Sequence, residues 1–283
     1  MISESQLHQF ITAALSEDIG NGDHSTLCCI EETAMGKALL HIKQDCIIAG
    51  IEIAKSIFEL VEATVDFVPY KRDGALVKKG EIAFEITASI RTILQCERLV
   101  LNTMQRMSGI ASLTHEYTQK ITKYPTQLLD TRKTIPNFRI LEKEAVRIGG
   151  GQNHRFGLYD MIMLKDNHID YCGSIELAIE KANRYLKENN LSLKIEVETR
   201  TLEDVKKVVD VGNINRIMLD NFTPDQIIAA LKIIDGKFET EASGGITLDS
   251  IESYAATGVD FISCGALIHQ AQSIDLSLKA VII

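Results

Sequence analysis

Four polar residues recur at nearly even spacing in the second half of the chain: Glu198 after KIEV, Asp220 after RIML, Ser243 after ETEA and Cys264 after FIS. Their successive separations are 22, 23 and 21 residues, about the length of one βα unit. In a β/α barrel the carboxyl ends of successive strands converge on one mouth, and active sites of that architecture lie there. Carboxylates so placed can accept hydrogen bonds from sugar hydroxyls or hold a hard divalent cation through oxygen. Glu and Asp after a strand can also do no more than cap the next helix; the recurrence favours a shared site.

A second signal is cationic. The stretch from Thr131 to His168 holds Arg132, Lys133, Arg139, Lys143, Arg147, Arg155 and Lys165 with His154 and His168, inside a protein of net charge -9. Such a cluster suits a compact, multiply charged anion. A solvated helix face accounts for Lys143 and Arg147, which lie beside Glu142 and Glu144. It accounts less well for Arg132 and Lys133, which follow the strand-like QLLD.

Glycines supply a third signal. Ser243-Gly244-Gly245 and Cys264-Gly265-Ala266 each sit between an expected strand and helix, where backbone N–H groups can face an anion at a helix N-terminus. Two such turns after the last two strands match the usual phosphate site of β/α barrels; tight structural turns are the alternative. Gly149-Gly150-Gly151 lacks the lysine and hydroxyl of a nucleotide P-loop and reads either as a close approach to a ligand or as a flexible connection.

The elements that must position these residues follow from periodicity. Ser5 to Leu15 is amphipathic, HIKQDCIIAG is extended, IEIAKSIFELV is helical, and DGALVKKGEIAFEITAS alternates as antiparallel strands do. These make an α+β domain reaching about Thr92. From Ile93 to about Ile121 the period is helical, as one or two long helices. Beyond it QLLD, MIML, KIEVE, RIML, FETEA and FISC alternate with helical segments, which predicts parallel strands with crossover helices.

The chain has 283 residues, 45% hydrophobic and 24% charged, enough to bury a full core. The acidic balance argues against general affinity for nucleic acid or anionic lipid. No apolar run is long enough to span a bilayer and no signal segment opens the chain, so a cytoplasmic protein is expected. Six scattered cysteines without metal-ligand spacing read as reduced thiols.

The ordered motifs EDIGNGDHST, CERLVLNTMQRMSGIAS, LLDTRKTIPNFR, EKEAVRIGGGQNHRFGLYDMIMLKDNH, IEVE, IMLDN, ASGGI and ISCGALIH cover nearly the whole length. Through them the chain resembles quinolinate phosphoribosyltransferase, a pentosyl glycosyltransferase also called carboxylating nicotinate-nucleotide pyrophosphorylase. The resemblance implies an N-terminal α/β sandwich over residues 1–108, joined by the tail 269–283, and an open, mostly parallel α/β barrel over 109–268. It implies transfer of a phosphoribosyl group from phosphoribosyl pyrophosphate to quinolinate with decarboxylation, giving nicotinate mononucleotide for NAD synthesis.

By the same resemblance quinolinate is held by Arg98, Thr131, Arg132, Lys133, His154, Arg155 and Lys165, with Arg98 entering the site of a partner in a homodimer. A buried helix residue beside Glu97 is the plainer account of Arg98. The phosphoribosyl donor falls to Glu198, Asp220, Ser243, Gly244, Gly245, Cys264, Gly265 and Ala266, the turns acting through backbone rather than the Cys264 thiol. Lys133, Lys165, Glu198 and Asp220 form the catalytic set, and Glu198 and Asp220 bind Mg2+ through water or substrate. Many relatives read T-R-K-T-T-P-G where this chain has Ile135 and Asn137, which bears on the loop rather than the reaction. The competing readings are a paralogous phosphoribosyltransferase for another pyridine or azole, including the homologue encoded beside molybdate-transport genes, and a non-catalytic sensor of phosphosugars or pyridine dicarboxylates.

Overall fold

A computed structural model describes residues 3–281, which fall into two compact units. The first gathers residues up to His115, Thr134–Gly150 and those from Leu267; the second is Glu116–Lys133 with Gly151–Ala266.

In the first unit, α1 (Glu4–Ile19) starts where the Ser3 side chain accepts the Gln6 N–H, and α2 (His24–Cys29) where Asp23 accepts that of Thr26. There follow β1 (Met35–Ile42), β2 (Cys46–Ile47), α3 (Ile51–Val61), β3 (Asp66–Pro69), β4 (Leu76–Val77), β5 (Ile82–Ser89), α4 (Ile90–Ile121) and α5 (Arg139–Ile148). β1, β5 and β3 build an antiparallel sheet, and the chain's last strand, Leu276–Val281, pairs with β1 from Ile42↔Leu276 to Lys37↔Val281. The tail therefore returns to the N-terminal domain. Leu40, Ile42, Ile57, Phe58, Phe84 and Ile86 are fully buried, with the Phe58 and Phe84 rings edge to face at 6.4 Å.

Where one or two helices are expected from Ile93, a single 32-residue helix, α4, runs from Ile90. The expected division at residue 108 falls inside it; by packing, the first unit runs on to His115 and also takes in residues 134–150. The reason is side-chain chemistry that composition does not display. Glu142 on α5 is fully buried and accepts Arg106 Nε and Nη2 of α4 at 2.9 and 2.7 Å. Arg106 also donates to the carbonyls of Ile268 and Ala271 at 2.7 and 2.8 Å.

The solvated face assigned to Lys143 is corrected by the same packing: Lys143 is only 1% exposed. α5 buries Leu141, Glu142, Lys143, Ala145 and Val146, most of its circumference, so neighbouring charges point inward. Arg147 is exposed and pairs with Glu144 at 3.0 Å, as expected. Gly149 has a packing reason too, since a Cβ there would overlap the Ala111 carbonyl and Thr114 of α4.

In the second unit β6 (Gln127–Leu129), β7 (Ile162–Leu164), α6 (Asp166–Cys172), α7 (Ile175–Glu188), β8 (Ile195–Thr199), α8 (Leu202–Val211), β9 (Arg216–Asp220), α9 (Pro224–Ile234), β10 (Glu239–Ser243), α10 (Ile251–Ala255), β11 (Phe261–Ser263) and α11 (Ala266–His269) succeed one another. The six strands are those read from the sequence. All pair in parallel in the order β6-β11-β10-β9-β8-β7, and the edges β6 and β7 do not pair, which leaves the barrel open. Among the described residues no helix is long and apolar enough to cross a membrane.

Candidate active site

Parallel strands place every carboxyl end on one rim. Asp130 and Thr131 follow β6, Lys165 follows β7, Glu198 is the penultimate residue of β8, Asp220 and Ser243 end β9 and β10, and Cys264 follows β11. The register sets Asp220 level with Ser243, and Glu198 level with Met218, two residues below Asp220 on the same face. Glu198 and Asp220 do not cap the following helices: Thr201 caps α8 with Asp204 in a capping box, and Thr223 caps α9 with Gln226. Glu198 Oε1 instead accepts the N–H of Asp166, the first residue of α6, at 3.4 Å.

Burial raises the Glu198 pKa above the ordinary carboxylate value, the Asp166 N–H opposes this, and the charge of Asp220 adds to the rise. Lys165 Nζ lies 3.9 Å from Glu198 Oε2 with its side chain about half exposed. Two neighbouring carboxylates offer the oxygen donors that a hard cation takes.

The cationic side is built around Arg132, Arg155 and His154. Arg155 is buried, its Nη1 donates to the Met161 carbonyl at 3.2 Å, and its pKa is lowered by burial first and by Arg132 next. Two guanidinium groups that repel each other are favoured by a doubly charged anion between them. Lys133 is exposed, and its N–H donates to Thr131 Oγ1 at 3.1 Å. His154 is buried: its N–H donates to Asp130 Oδ1 at 2.8 Å, and Nε2 lies 3.0 Å from Glu196 Oε2 and 3.1 Å from Glu241 Oε2. Burial disfavours the imidazolium, but Glu196 and Glu241 outweigh this and push its pKa up to about 9. The Arg155 N–H lies 2.7 Å from Nδ1.

The glycine turns differ from expectation in one respect. Ser243-Gly244-Gly245 is separated from α10 by Ile246–Ser250, and α10 and α11 have only five and four residues. An anion there would meet turn N–H groups more than a helix dipole. Gly244 has φ 95, and a Cβ on it would overlap the Asn221 side-chain oxygen, so only glycine fits. Cys264 is buried with its thiol pushed up to about 12 by burial, which leaves it inert.

Arg98 lies in the first unit and is exposed on α4, so the buried-helix account of it does not hold. Of the two loop departures, Asn137 has φ 62, a left-handed conformation that Asn tolerates better than most residues other than Gly. Ile135 is exposed and donates its N–H to Glu142 at 2.8 Å.

The C-terminal domain model of quinolinate phosphoribosyl transferase matches residues 110–279 and the N-terminal domain model matches 23–108. The chain belongs to the quinolinate phosphoribosyltransferase family. It is 42% identical to the mitochondrial quinolinate phosphoribosyltransferase [decarboxylating] 2b of Nicotiana tabacum over 96% of this chain and 82% of that one. It is 41% identical to a probable nicotinate-nucleotide pyrophosphorylase [carboxylating] of Bacillus subtilis over 96% and 93%. The crystal structure of NadC from Streptococcus pyogenes superposes with a TM-score of 0.92 at 37% identity, covering 100% of this chain and 99% of that one.

Within this quinolinate phosphoribosyltransferase the second unit brings together all the residues singled out for the site except Arg98. Sequence reading passed over Asp130, Glu196, Arg216 and Glu241. The signal for three of them lay in strand alternation: Glu196 and Glu241 stand two residues before Glu198 and Ser243, and Arg216 four before Asp220, so each faces the same way as its rim residue one or two layers deeper.

Proposed function

We infer that the strand-end rim of the second unit is where this phosphoribosyltransferase works: it transfers the phosphoribosyl group of phosphoribosyl pyrophosphate to the nitrogen of quinolinate and releases pyrophosphate and CO2, giving nicotinate mononucleotide in de novo NAD biosynthesis. The observation that supports this most is the mutually repelling pair Arg132 and Arg155 on the same rim as two carboxylates and the Gly244 turn. A pyridine with two adjacent carboxylates relieves that repulsion, whereas a monocarboxylate relieves only part of it.

Arg132, Arg155, Thr131, Lys133 and Lys165 hold quinolinate, with His154 behind Arg155 rather than on the substrate because both its ring nitrogens face protein groups, and the Ser243-Gly244-Gly245 and Cys264-Gly265-Ala266 turns hold the 5-phosphate. Glu198 and Asp220 accept the ribose hydroxyls. The same carboxylates would hold Mg2+, through water or substrate oxygens, which supplies positive charge against pyrophosphate. Lys133 and Lys165 offset the charge of the departing pyrophosphate. As the bond from ribose carbon to pyrophosphate oxygen breaks, the pyridine nitrogen forms its bond to that carbon in line, so no protein nucleophile is needed and orientation and fixed charge do the work. The quaternised ring then takes the electron pair left by CO2, and a proton replaces it at carbon. A homodimer in which Arg98 enters the partner's site is part of this reading, supported by the exposure of Arg98. So is a cytoplasmic setting, supported by six free thiols.

Counting label released from ring-carboxyl-labelled quinolinate, with magnesium and the phosphoribosyl donor, tests the reaction; label retained in quinolinate would refute it. Glu198→Ala and Asp220→Ala are each expected to raise the donor KM at least tenfold and leave quinolinate KM within about twofold, on the scale of one or two lost charged hydrogen bonds; unchanged donor kinetics would remove both from the donor site. Gly244→Ala is expected to act on the same parameter, since the strained φ and the Asn221 contact displace the turn by forces worth about 1–3 kcal/mol. A normal donor KM in that variant, measured by initial rates, would place the phosphate elsewhere.

A further inference from the structure

Beneath the rim lies a buried charge cluster that the reaction as written does not use. Arg216 on β9 reaches Glu241 of β10 at 2.9 Å and Glu239 at 3.1 Å, and its guanidinium lies over the Phe261 ring at 4.0 Å. The same Glu241 Oε2 faces His154 Nε2 at 3.1 Å, and Glu196 Oε2 of β8 faces that nitrogen at 3.0 Å. Glu196 and Glu241 are fully buried, and Arg216 is 7% exposed. Two strands, β8 and β10, thus converge on one imidazole, with Arg216 of β9 bound to Glu241, and the backbone N–H of His154 is held from the β6 end by Asp130. The residue it holds in turn is the next in the chain, Arg155, through the contact of its amide with Nδ1 at 2.7 Å.

We propose that Glu196, Glu241 and Arg216 are positioning residues that lock His154 and, through it, fix Arg155 against Arg132 at the quinolinate end of the site. This rests on the assignment of Arg132 and Arg155 to quinolinate. Buried acidic side chains packed against an imidazole restrict where it can sit, and the link from them to Arg155 runs through His154, at the quinolinate end of the site. His154, Glu196 and Glu241 also offer three ligand atoms within 4.8 Å of one another, as a metal site would. Arg216 already supplies a cationic charge there, bound at 2.9 Å to Glu241 Oε2, the same oxygen that faces His154.

Initial rates of the full-length Glu241→Gln enzyme, with each substrate varied in turn, test the assignment. The expected result is a quinolinate KM raised at least tenfold with donor KM within twofold. Arg216→Lys, which keeps the charge and loses the two-pronged geometry, should fall between wild type and Glu241→Gln. A quinolinate KM within twofold of wild type in Glu241→Gln, or equal losses for both substrates with a lowered Tm, would overturn it. Should that variant not fold, nitrogen-15 histidine spectra of the wild type decide: the cluster requires a His154 Nε2–H protected from solvent exchange. A rapidly exchanging ring proton, or stoichiometric metal in the purified enzyme, rejects the cluster. Arg132→Ala separates the two levels, for normal quinolinate kinetics there would sink the site itself, whereas a defect there with an unaffected Glu241→Gln sinks only the positioning role.

Discussion

Arg132→Ala is expected to abolish most turnover and leave the protein folded. Arg132 follows β6 on the rim and is only partly buried, outside the apolar core, so its truncation should leave the fold in place. What it removes is half of a guanidinium pair whose mutual repulsion lowers the pKa of Arg155 and is relieved when a dianion binds. One substrate carboxylate is then left without its two-pronged partner, at about 2–5 kcal/mol, which is a fall in kcat/KM of roughly 30-fold to several thousandfold. The loss should appear first in quinolinate KM, with donor KM little changed. Tm should stay within about 2 °C of wild type, as for substitutions outside the core. Labelled CO2 release together with a melting curve reads both, and full activity would take Arg132 out of the site.

Much of this site was legible because strand ends leave a mark in one dimension. Glu198, Asp220 and Ser243 each close a short apolar run, and the near-constant interval between them is the βα repeat itself. The deeper layer was hidden by the same alternation that could have revealed it. Glu196 and Glu241 sit inside buried strands and Arg216 opens another, and a charge within a buried strand has no meaning until its partner on the neighbouring strand is known. The registers Glu196↔Arg216 and Glu239↔Arg216 supply that partner.

Lys143 misled for a related reason. A charge run on a short helix ordinarily marks a solvated face, but α5 is enclosed on most sides, so Glu142 and Lys143 are buried while Glu144 and Arg147 pair at the surface. The glycine run after α5 invited a ligand and instead admits the helix at Gly149. Asn137 shows the opposite case: asparagine in place of glycine is conservative once its positive φ is known. In each instance the missing information was three-dimensional, namely which atoms face one another.

The stability counterpart lies in the first unit. Glu142→Ala is expected to destabilise the protein by about 3–5 kcal/mol, the usual cost of removing one member of a buried ion pair, and to lower Tm by roughly 6–20 °C. Glu142 accepts Arg106 Nε and Nη2 through Oε1 and the Ile135 N–H through Oε2, and no part of it reaches solvent. Its loss leaves a guanidinium that is 16% exposed facing a cavity, with two carbonyls as its remaining acceptors. It also frees the amide that anchors the loop after Lys133, so a smaller loss of kcat should accompany the fall in stability. Replacing both partners with apolar residues, Arg106→Met with Glu142→Leu, is expected to recover a large part of the stability, because the desolvation cost of the pair disappears with it. The Ile135 amide stays unbonded in that double variant, so kcat should recover less than Tm. Urea titration and initial rates on the two variants separate these effects, and a Glu142→Ala protein as stable as wild type would show that the ion pair does not hold α5 to α4.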